Sequence, residues 1–345
     1  MANVQSGGNA TQWPELLPWQ VPAAREALAA RAVWPHALLL DGPRGIGKLA
    51  LARNLARALL CETPRTDGCA CGACVSCHYV AAGQHPDLQM IEPFVIDDDG
   101  EVKAQDPIPV DRVRALIDWV QLTSHRGRAK VAVIVPAESM NLAAANALLK
   151  TLEEPPPSTY LMLVTHQPGR VPATLRSRCR RMPAPRPAAA VAEAWLAGQG
   201  VANARFVLAQ AGGAPLVALS LAGAEWQAER TAWLQALARP DALSPVALAA
   251  RIEGAPKDQR REQLGQAIDW LLAWTADLSR VAAGGVPVRN TDFSAAFGLL
   301  ASAVAQVPLF RYHRTMLRQR ALVAHPLQPR LVAEALLIAY RDMFR

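Results

Sequence analysis

The sequence predicts an α/β domain with a parallel sheet, followed by a region that contains only helices. In the first half, apolar runs typical of buried strands alternate with helical stretches, and a glycine-rich turn joins the first strand to the first long helix. Beyond Cys179 only helical periodicity remains, rich in Ala and Leu. With 345 residues, 51% of them hydrophobic and 19% charged, the chain can form two or three domains, which excludes wholesale disorder.

Composition also bears on where the protein works. No apolar run approaches the ~20 residues of a membrane span. The first dozen residues lack the basic and apolar regions of a secretory signal and predict a flexible tail. We therefore expect a soluble, cytoplasmic protein. The net charge of +7 permits contact with nucleic acid, but a composition set by genome base content explains it equally well.

The first predicted elements are a strand, a glycine turn and a helix. The run 36–40 (HALLL) predicts the strand, Gly42 to Gly47 form the turn, and a helical stretch extends from about Lys48 to Leu60. This order is the opening of a nucleotide-binding α/β domain.

The later elements follow from periodicity and from helix-breaking residues. Asp111 suits the N-cap of an amphipathic helix. Three prolines at 155–157 end another helix. Pro183, Pro185 and Pro187 mark a linker to the helical region, in which no short repeat indicates a solenoid. The predictions before the linker are a short strand at 88–92, an acidic surface loop at 97–101, buried strands at 131–135 and 160–165, and a helix at 141–154; helix breaks after it fall near 212–215, 240, 255, 284–287 and 326–329.

The glycine turn fits the phosphate-loop pattern G-x-x-x-x-G-K. Its members are Gly42, Gly45, Gly47 and Lys48. The amides of such a loop cradle phosphates, and the lysine reaches the outer ones.

Two parts of a hydrolytic site are missing from the sequence. Leu49 stands where a Ser or Thr hydroxyl normally ligates Mg²⁺. The strand at 131–135 is followed by Pro136 and Ala137 rather than by an acidic pair, and Glu138 comes three residues late. The sequence therefore predicts a vestigial loop kept for its turn geometry, and binding of ATP or ADP without turnover is the alternative.

Clustered cysteines predict a metal site. Three of the thiols have C-x2-C spacing, and four thiolates close a tetrahedral structural site around one Zn²⁺. Cys69 is left out because the closely spaced trio begins at Cys71. His78 and His85 are more often ordinary surface histidines, and support of the metal ligands from a second layer is the alternative. An iron–sulfur cluster or free thiols are the alternatives. The predicted ligands are Cys61, Cys71, Cys74 and Cys77.

The turn Ser177-Arg178-Cys179 closes the first domain. An arginine near a helix end is usually a solvated or carbonyl-capping charge. An exposed arginine at a domain edge can also reach a phosphate bound to a neighbouring subunit, where its planar, charged fork stabilises a transferring phosphoryl group. Spacing alone leaves both interpretations open.

Taken together, these motifs resemble a known family. The stretch 127–157, followed by TLRSRC at 174–179, closely resembles the delta-prime subunits of the bacterial DNA polymerase III clamp loader, which belong to the AAA+ superfamily and have gamma/tau relatives. The resemblance is dense from about 13 to 183 and thins beyond. It also covers 18–19, 36–48, 59–61, the clustered cysteines, 85–87, 211–215 and 328–331.

The resemblance implies an architecture and a role. It implies a RecA-like AAA+ domain with a zinc module (1–183), an all-α lid (184–225) and an all-α collar (226–345) that joins a hetero-pentamer with gamma/tau and delta subunits. It implies a rigid, non-hydrolysing member that presents Arg178, within Ser177-Arg178-Cys179, as an arginine finger to ATP on an adjacent gamma/tau subunit. The sliding clamp and primed DNA would be met through the complex, and polymerase (nucleotidyltransferase) activity in DNA replication would belong to the holoenzyme.

Two other functions compete with this interpretation. One is an active AAA+ ATPase of gamma/tau type, against which Leu49 and the absent acidic pair argue. The other is a zinc-containing nucleic-acid-binding protein, suggested by the charge and the four cysteines, although no basic patch with interleaved aromatic residues occurs. Lys150, Glu153 and Glu154 are expected on a solvated helix end, with an intersubunit role left open.

Overall fold

The computed structural model describes residues 14–30, 33–96, 102–104, 107–323, 325 and 328–344. The predicted tail, the acidic loop at 97–101 and part of the break near 326–329 lie outside these residues. The chain divides into two compact units, the first ending at Trp195 and the second beginning at Leu196.

The first unit contains strands and helices in alternation. The strands are β1 (Ala37–Asp41), β2 (Leu88–Ile91), β3 (Phe94–Ile96), β4 (Val102–Ala104), β5 (Lys130–Ile134), β6 (Thr159–Thr165) and β7 (Arg180–Pro183). The helices are α1 (Val21–Ala29), α2 (Lys48–Leu60), α3 (Val75–Ala81), α4 (Val110–Gln121), α5 (Leu142–Glu153) and α6 (Ala173–Arg176), and α7 (Ala189–Gly198) begins in this unit.

Five strands form one parallel sheet in the order β2–β5–β6–β1–β7, and β3 and β4 form a separate antiparallel pair. Alternate residues of the same strands face opposite sides of the sheet. Leu38 and Leu40 of β1 lie in a core with α2, whereas Leu39 lies in a second core with α4 and α5. The predicted parallel sheet with helices on both faces is therefore confirmed.

Two local predictions were wrong. Asp111 is not the N-cap of α4: Pro109 holds the extended cap conformation, with φ −76° and ψ 156°, and Asp111 lies inside the first turn, where its charge favours the helix dipole. Pro183 is not part of a linker, because it ends β7 opposite Asp41. A proline is tolerated there because β7 is an edge strand that pairs with β1 alone.

The second unit is helical throughout its described residues, as predicted. Its helices after α7 are α8 (Ala204–Gln210), α9 (Pro215–Leu221), α10 (Ala224–Leu237), α11 (Pro245–Glu253), α12 (Arg260–Ala282), α13 (Ser294–Ala303), α14 (Gln306–Leu322) and α15 (Pro329–Asp342). The largest buried side chains of its core include Trp233, Trp274 and Tyr340. Trp274 Nε1 donates to the Tyr340 hydroxyl at 2.8 Å, and that hydroxyl donates to the Leu237 carbonyl at 2.9 Å, so the polar atoms of these two buried side chains are paired.

Among the described residues, no single helix combines the length and the apolar composition of a membrane span. Two helix pairs reach both only together, and these pairs are bent by 106° and 119°.

Candidate functional site

The glycine loop connects β1 to α2, and its lysine is folded back onto it. Gly45 and Gly47 have φ values of 80° and 87°, which only glycine adopts without strain. Lys48 is the first residue of α2 and is 2% exposed. Its Nζ donates to the carbonyls of Gly42 at 2.7 Å and Pro43 at 2.6 Å. The ammonium group of Lys48 is therefore held by the loop's own oxygens.

Burial dominates the electrostatics around this lysine. It lowers the pKa of Lys48 from 10.5 to about 8, although the carboxylates of Glu138 and Asp41 act in the opposite direction. Burial and the nearby Lys48 charge lower the pKa of His166 to about 4. The Glu138 carboxylate accepts hydrogen bonds from Thr165 Oγ1 at 2.6 Å and from the His166 backbone N–H at 3.0 Å. The sequence excluded Glu138 from an acidic pair at the strand end because it comes three residues late, but in the fold its carboxylate acts on Lys48.

The segment before α1 covers the same loop. Trp19 Nε1 donates to the Ile46 carbonyl at 3.0 Å, and Gln20 Nε2 donates to the Gly47 carbonyl at 2.7 Å. A Cβ atom on Gly47 would lie 2.2 Å from Leu17 Cδ1, so a side chain there would displace Leu17 in addition to straining the backbone. These contacts span 26 or more positions in the chain, and periodicity could not have revealed them.

The parts expected of a hydrolytic site are occupied by apolar residues. Leu49 is partly buried and packs against the core that contains β1 and α2. Val135, directly after β5, belongs to the same core and is 6% exposed. Neither residue can ligate Mg²⁺, which takes oxygen ligands.

The four predicted cysteines converge. The Sγ atoms of Cys61, Cys71, Cys74 and Cys77 all lie within 4.8 Å of one another. The Cys61–Cys74 and Cys71–Cys77 pairs are each 3.9 Å apart. Four sulfurs arranged tetrahedrally at about 2.3 Å from a zinc ion would be separated by ~3.8 Å. The set of donors and their spacing therefore fit one Zn²⁺.

Hydrogen bonds to the sulfurs favour the thiolate form that a metal binds. The backbone N–H groups of Ala73 and Cys74 donate to Cys71 Sγ at 3.4 and 3.3 Å, and the Thr63 hydroxyl donates to it at 3.3 Å. The Thr63 hydroxyl is the largest of the causes that lower the pKa of Cys71 to about 5. Without a metal, burial raises the pKa of Cys77 to about 12. An ion at the centre would offset that cost, because metal binding requires deprotonated thiols.

Two arginines connect the cysteine module, which we define as residues 61–77, to the start of β5. Arg126 Nε donates to Glu62 Oε1 at 2.9 Å, and the Ser76 hydroxyl donates to the same oxygen at 2.9 Å. Arg128 Nη1 donates to the Cys61 carbonyl at 3.0 Å. Asp87 fixes the loop that carries both arginines. It is fully buried and accepts three hydrogen bonds from residues 124–126.

Cys69 and the two histidines lie outside the four-sulfur group. Cys69 is partly buried against the core beside α1 and α2. His78 is exposed, as expected. His85 is not a surface histidine: it is 4% exposed, its Nδ1 accepts the Asp87 N–H at 3.1 Å, and burial lowers its pKa.

The Ser177-Arg178-Cys179 turn follows α6. Arg178 Nε donates to Glu153 Oε1 at 2.6 Å, its Nη2 donates to the same oxygen, and its Nη1 donates to the Thr174 carbonyl at 2.9 Å. The Arg178 side chain remains 33% exposed. Cys179 packs against the core instead, and burial raises its pKa to about 11. Glu153 is exposed as predicted, but its pairing with Arg178 was missed because 25 positions separate the two.

Comparisons with known proteins agree on one family. A family model described as "DNA polymerase III, delta subunit" matches residues 24–187. The chain is 39% identical over 274 residues to the DNA polymerase III subunit delta' of Pseudomonas aeruginosa, covering 77% of this chain and 78% of that protein. It is 35% identical over 283 residues to the DNA polymerase III subunit delta' of Escherichia coli, covering 80% and 79%.

A shorter similarity extends to a second kind of subunit. The DNA polymerase III subunit tau of Escherichia coli is 40% identical over 144 residues, which is 42% of this chain and 20% of that protein.

Proposed function

Since the chain belongs to the family of DNA polymerase III delta-prime subunits, we propose that it completes a clamp loader without hydrolysing ATP itself. The observation that carries the proposal is Leu49, which packs into the core where catalysis needs a Mg²⁺-binding hydroxyl. The buried Lys48 ammonium, bonded to Gly42 and Pro43, agrees with a loop that works without a bound phosphate. In this role the chain needs no ATP or ADP in its own loop.

The contribution of the chain to catalysis would be made in trans. Arg178 presents a charged, partly exposed guanidinium next to α6, and a guanidinium supplied by a neighbouring chain stabilises the transition-state charge of phosphoryl transfer. We assign the ATP to a subunit of the gamma/tau kind, to which this chain is also similar. In this proposal Arg178 is the arginine finger, Ser177 and Cys179 fix its turn, and the ATP lies on an adjacent gamma/tau subunit.

The remaining parts of the chain would serve assembly. We assign 184–225 to a lid and 226–345 to a collar that joins gamma/tau and delta subunits in a hetero-pentamer. One structural zinc would occupy the site of Cys61, Cys71, Cys74 and Cys77, whose sulfur spacing fits that ion. The sliding clamp and primed DNA would be engaged through the whole complex, in the cytoplasm, and nucleotidyl transfer would belong to the polymerase.

Reconstitution with gamma/tau and delta subunits tests the proposal. The purified chain alone should show no ATP turnover, and Arg178→Ala should enter the complex yet lower its DNA-stimulated ATP turnover. At the site that Arg178 serves, a loss of about 10³-fold is expected. Arg176→Ala is the matched control, because Arg176 is an exposed arginine two positions away.

Either of two results would contradict the proposal. Brisk ATP turnover by the isolated chain would show an active motor of gamma/tau type. Equal turnover by complexes carrying Arg178→Ala and Arg176→Ala would remove the finger role.

A further inference from the structure

We propose that Glu153 is a positioning residue for Arg178. Its carboxylate holds one edge of the guanidinium, so that the other edge faces outward for a phosphate on the neighbouring subunit. This inference rests on the proposed role of Arg178 as an arginine finger. It adds a second side chain of this chain to the reaction, one that acts only through the first.

The hydrogen bonds of Arg178 leave one edge of its fork open. A guanidinium carries five N–H groups. Nε and Nη2 donate to Glu153 Oε1, and Nη1 donates to the Thr174 carbonyl. These three contacts leave one N–H on each Nη atom. Two such groups are what a bidentate contact with phosphate oxygens requires, and the side chain is 33% exposed.

The backbones that carry the two side chains are fixed by a shared core. Glu153 is the last residue of α5, and Arg178 follows α6 by two positions. Leu152 and Leu175 are 1% and 0% exposed and lie in the same core. The carbonyl of Leu152 also bonds to His36 Nε2 at 2.8 Å, which anchors the end of α5 next to β1. Such packing holds a catalytic group within the narrow geometry that catalysis needs.

The position of Glu153 on its helix is electrostatically unfavourable unless a cation such as Arg178 lies beside it. A carboxylate at a helix C-terminus lies at the negative end of the dipole and is disfavoured unless a cation compensates it. Glu153 and Glu154 both occupy this end of α5. Glu153 has Arg178 against it, whereas Glu154 is exposed at the C-cap. The chain therefore contains its own control, an adjacent carboxylate in the same electrostatic setting.

The experiment uses the full chain reconstituted with gamma/tau and delta subunits. Incorporation of each variant into the complex is measured first, followed by kcat and KM for DNA-stimulated ATP turnover. Glu153→Gln should lower turnover at the site of Arg178 about fivefold, as expected for a partly exposed ion pair, with KM unchanged. On the scale of activation free energy, this is about a quarter of the loss expected for Arg178→Ala. Glu154→Gln should match wild type, and Glu153→Asp, which keeps the charge, should recover part of the loss.

The double variant separates positioning from a merely structural role. Glu153→Gln combined with Arg178→Ala should be no slower than Arg178→Ala alone, because Glu153 acts only through that arginine. A further decrease in the double variant would overturn the inference, and so would faster turnover with Glu153→Gln.

The outcomes also distinguish this inference from the proposed function. No loss with Arg178→Ala would remove the finger role and this inference with it. A loss with Arg178→Ala, together with equal rates for Glu153→Gln and Glu154→Gln, would overturn the positioning role of Glu153 and leave the finger role of Arg178 intact.

Discussion

Replacing Cys71 by Ser is expected to remove the bound zinc and destabilise the first unit, whereas Cys69→Ser should do neither. Cys71 Sγ lies 3.9 Å from Cys77 Sγ, near the ~3.8 Å expected for two sulfurs on one zinc ion. Cys69 is a nearby cysteine outside the four-sulfur group, so it is the matched control.

The size of the effect follows from linkage. A ligand that binds only the folded state at about 1,000 times its Kd stabilises that state by about 4 kcal/mol. For a domain of about 150–250 residues, each kcal/mol shifts Tm by about 2–4 °C, which gives a decrease of about 8–16 °C for Cys71→Ser.

The assay pairs elemental analysis of the purified chain with thermal unfolding followed by circular dichroism, with and without a chelator. Wild type and Cys69→Ser should carry one zinc per chain. Chelation should lower their Tm to that of Cys71→Ser, which should not respond. Well under one zinc in wild type, or equal Tm values for the two variants, would refute the assignment of the ligands.

Three further predictions concern buried ionisable groups. Asp277, which is 1% exposed, accepts hydrogen bonds from the backbone N–H groups of residues 288–290; Asp277→Asn should lower the free energy of unfolding by about 3 kcal/mol, visible as a lower urea midpoint at an unchanged slope. The Lys48 pKa is lowered on folding from 10.5 to about 8, so the folded state binds fewer protons in that window; the stability of wild type relative to Lys48→Met should rise between pH 8 and 10.5 in urea titrations, and a flat difference would contradict the shift. Since burial raises the pKa of Cys179 to about 11, its alkylation by iodoacetamide, followed by mass spectrometry, should still accelerate at pH 10, where an ordinary thiol has levelled off.

Local sequence signals predicted the parts of the fold that depend on neighbouring residues. The bounds of α2 agree with the prediction because a glycine turn precedes it and its apolar spacing is regular. The thiol cluster was predictable because short spacing already limits how four cysteines can converge. By contrast, β7 carries two exposed arginines and a proline, so nothing in its composition suggests a strand. Its pairing with β1 is decided by the tertiary fold, because the preference of a residue for a strand depends strongly on its packing context.

The contacts that the sequence could not predict are long-range. Glu138 follows β5 and its carboxylate acts on the charge of Lys48, and Glu153 meets Arg178 because α5 and α6 pack on the same core. The hydrogen bonds from Trp19 and Gln20 to the loop carbonyls depend on the same kind of packing. In each case the residue type is ordinary at its local position, and only the partner gives it a role.

The arginine ties between the cysteine module and β5 limit how the domain can be simplified. Deleting this module would leave the guanidinium of Arg126 without its acceptor Glu62 and that of Arg128 without its acceptor, the Cys61 carbonyl. Both lie just ahead of a strand whose residues are all buried. A shortened version of the protein would therefore also need new residues before β5. The cysteine segment thus supports the central sheet and cannot be removed independently of it.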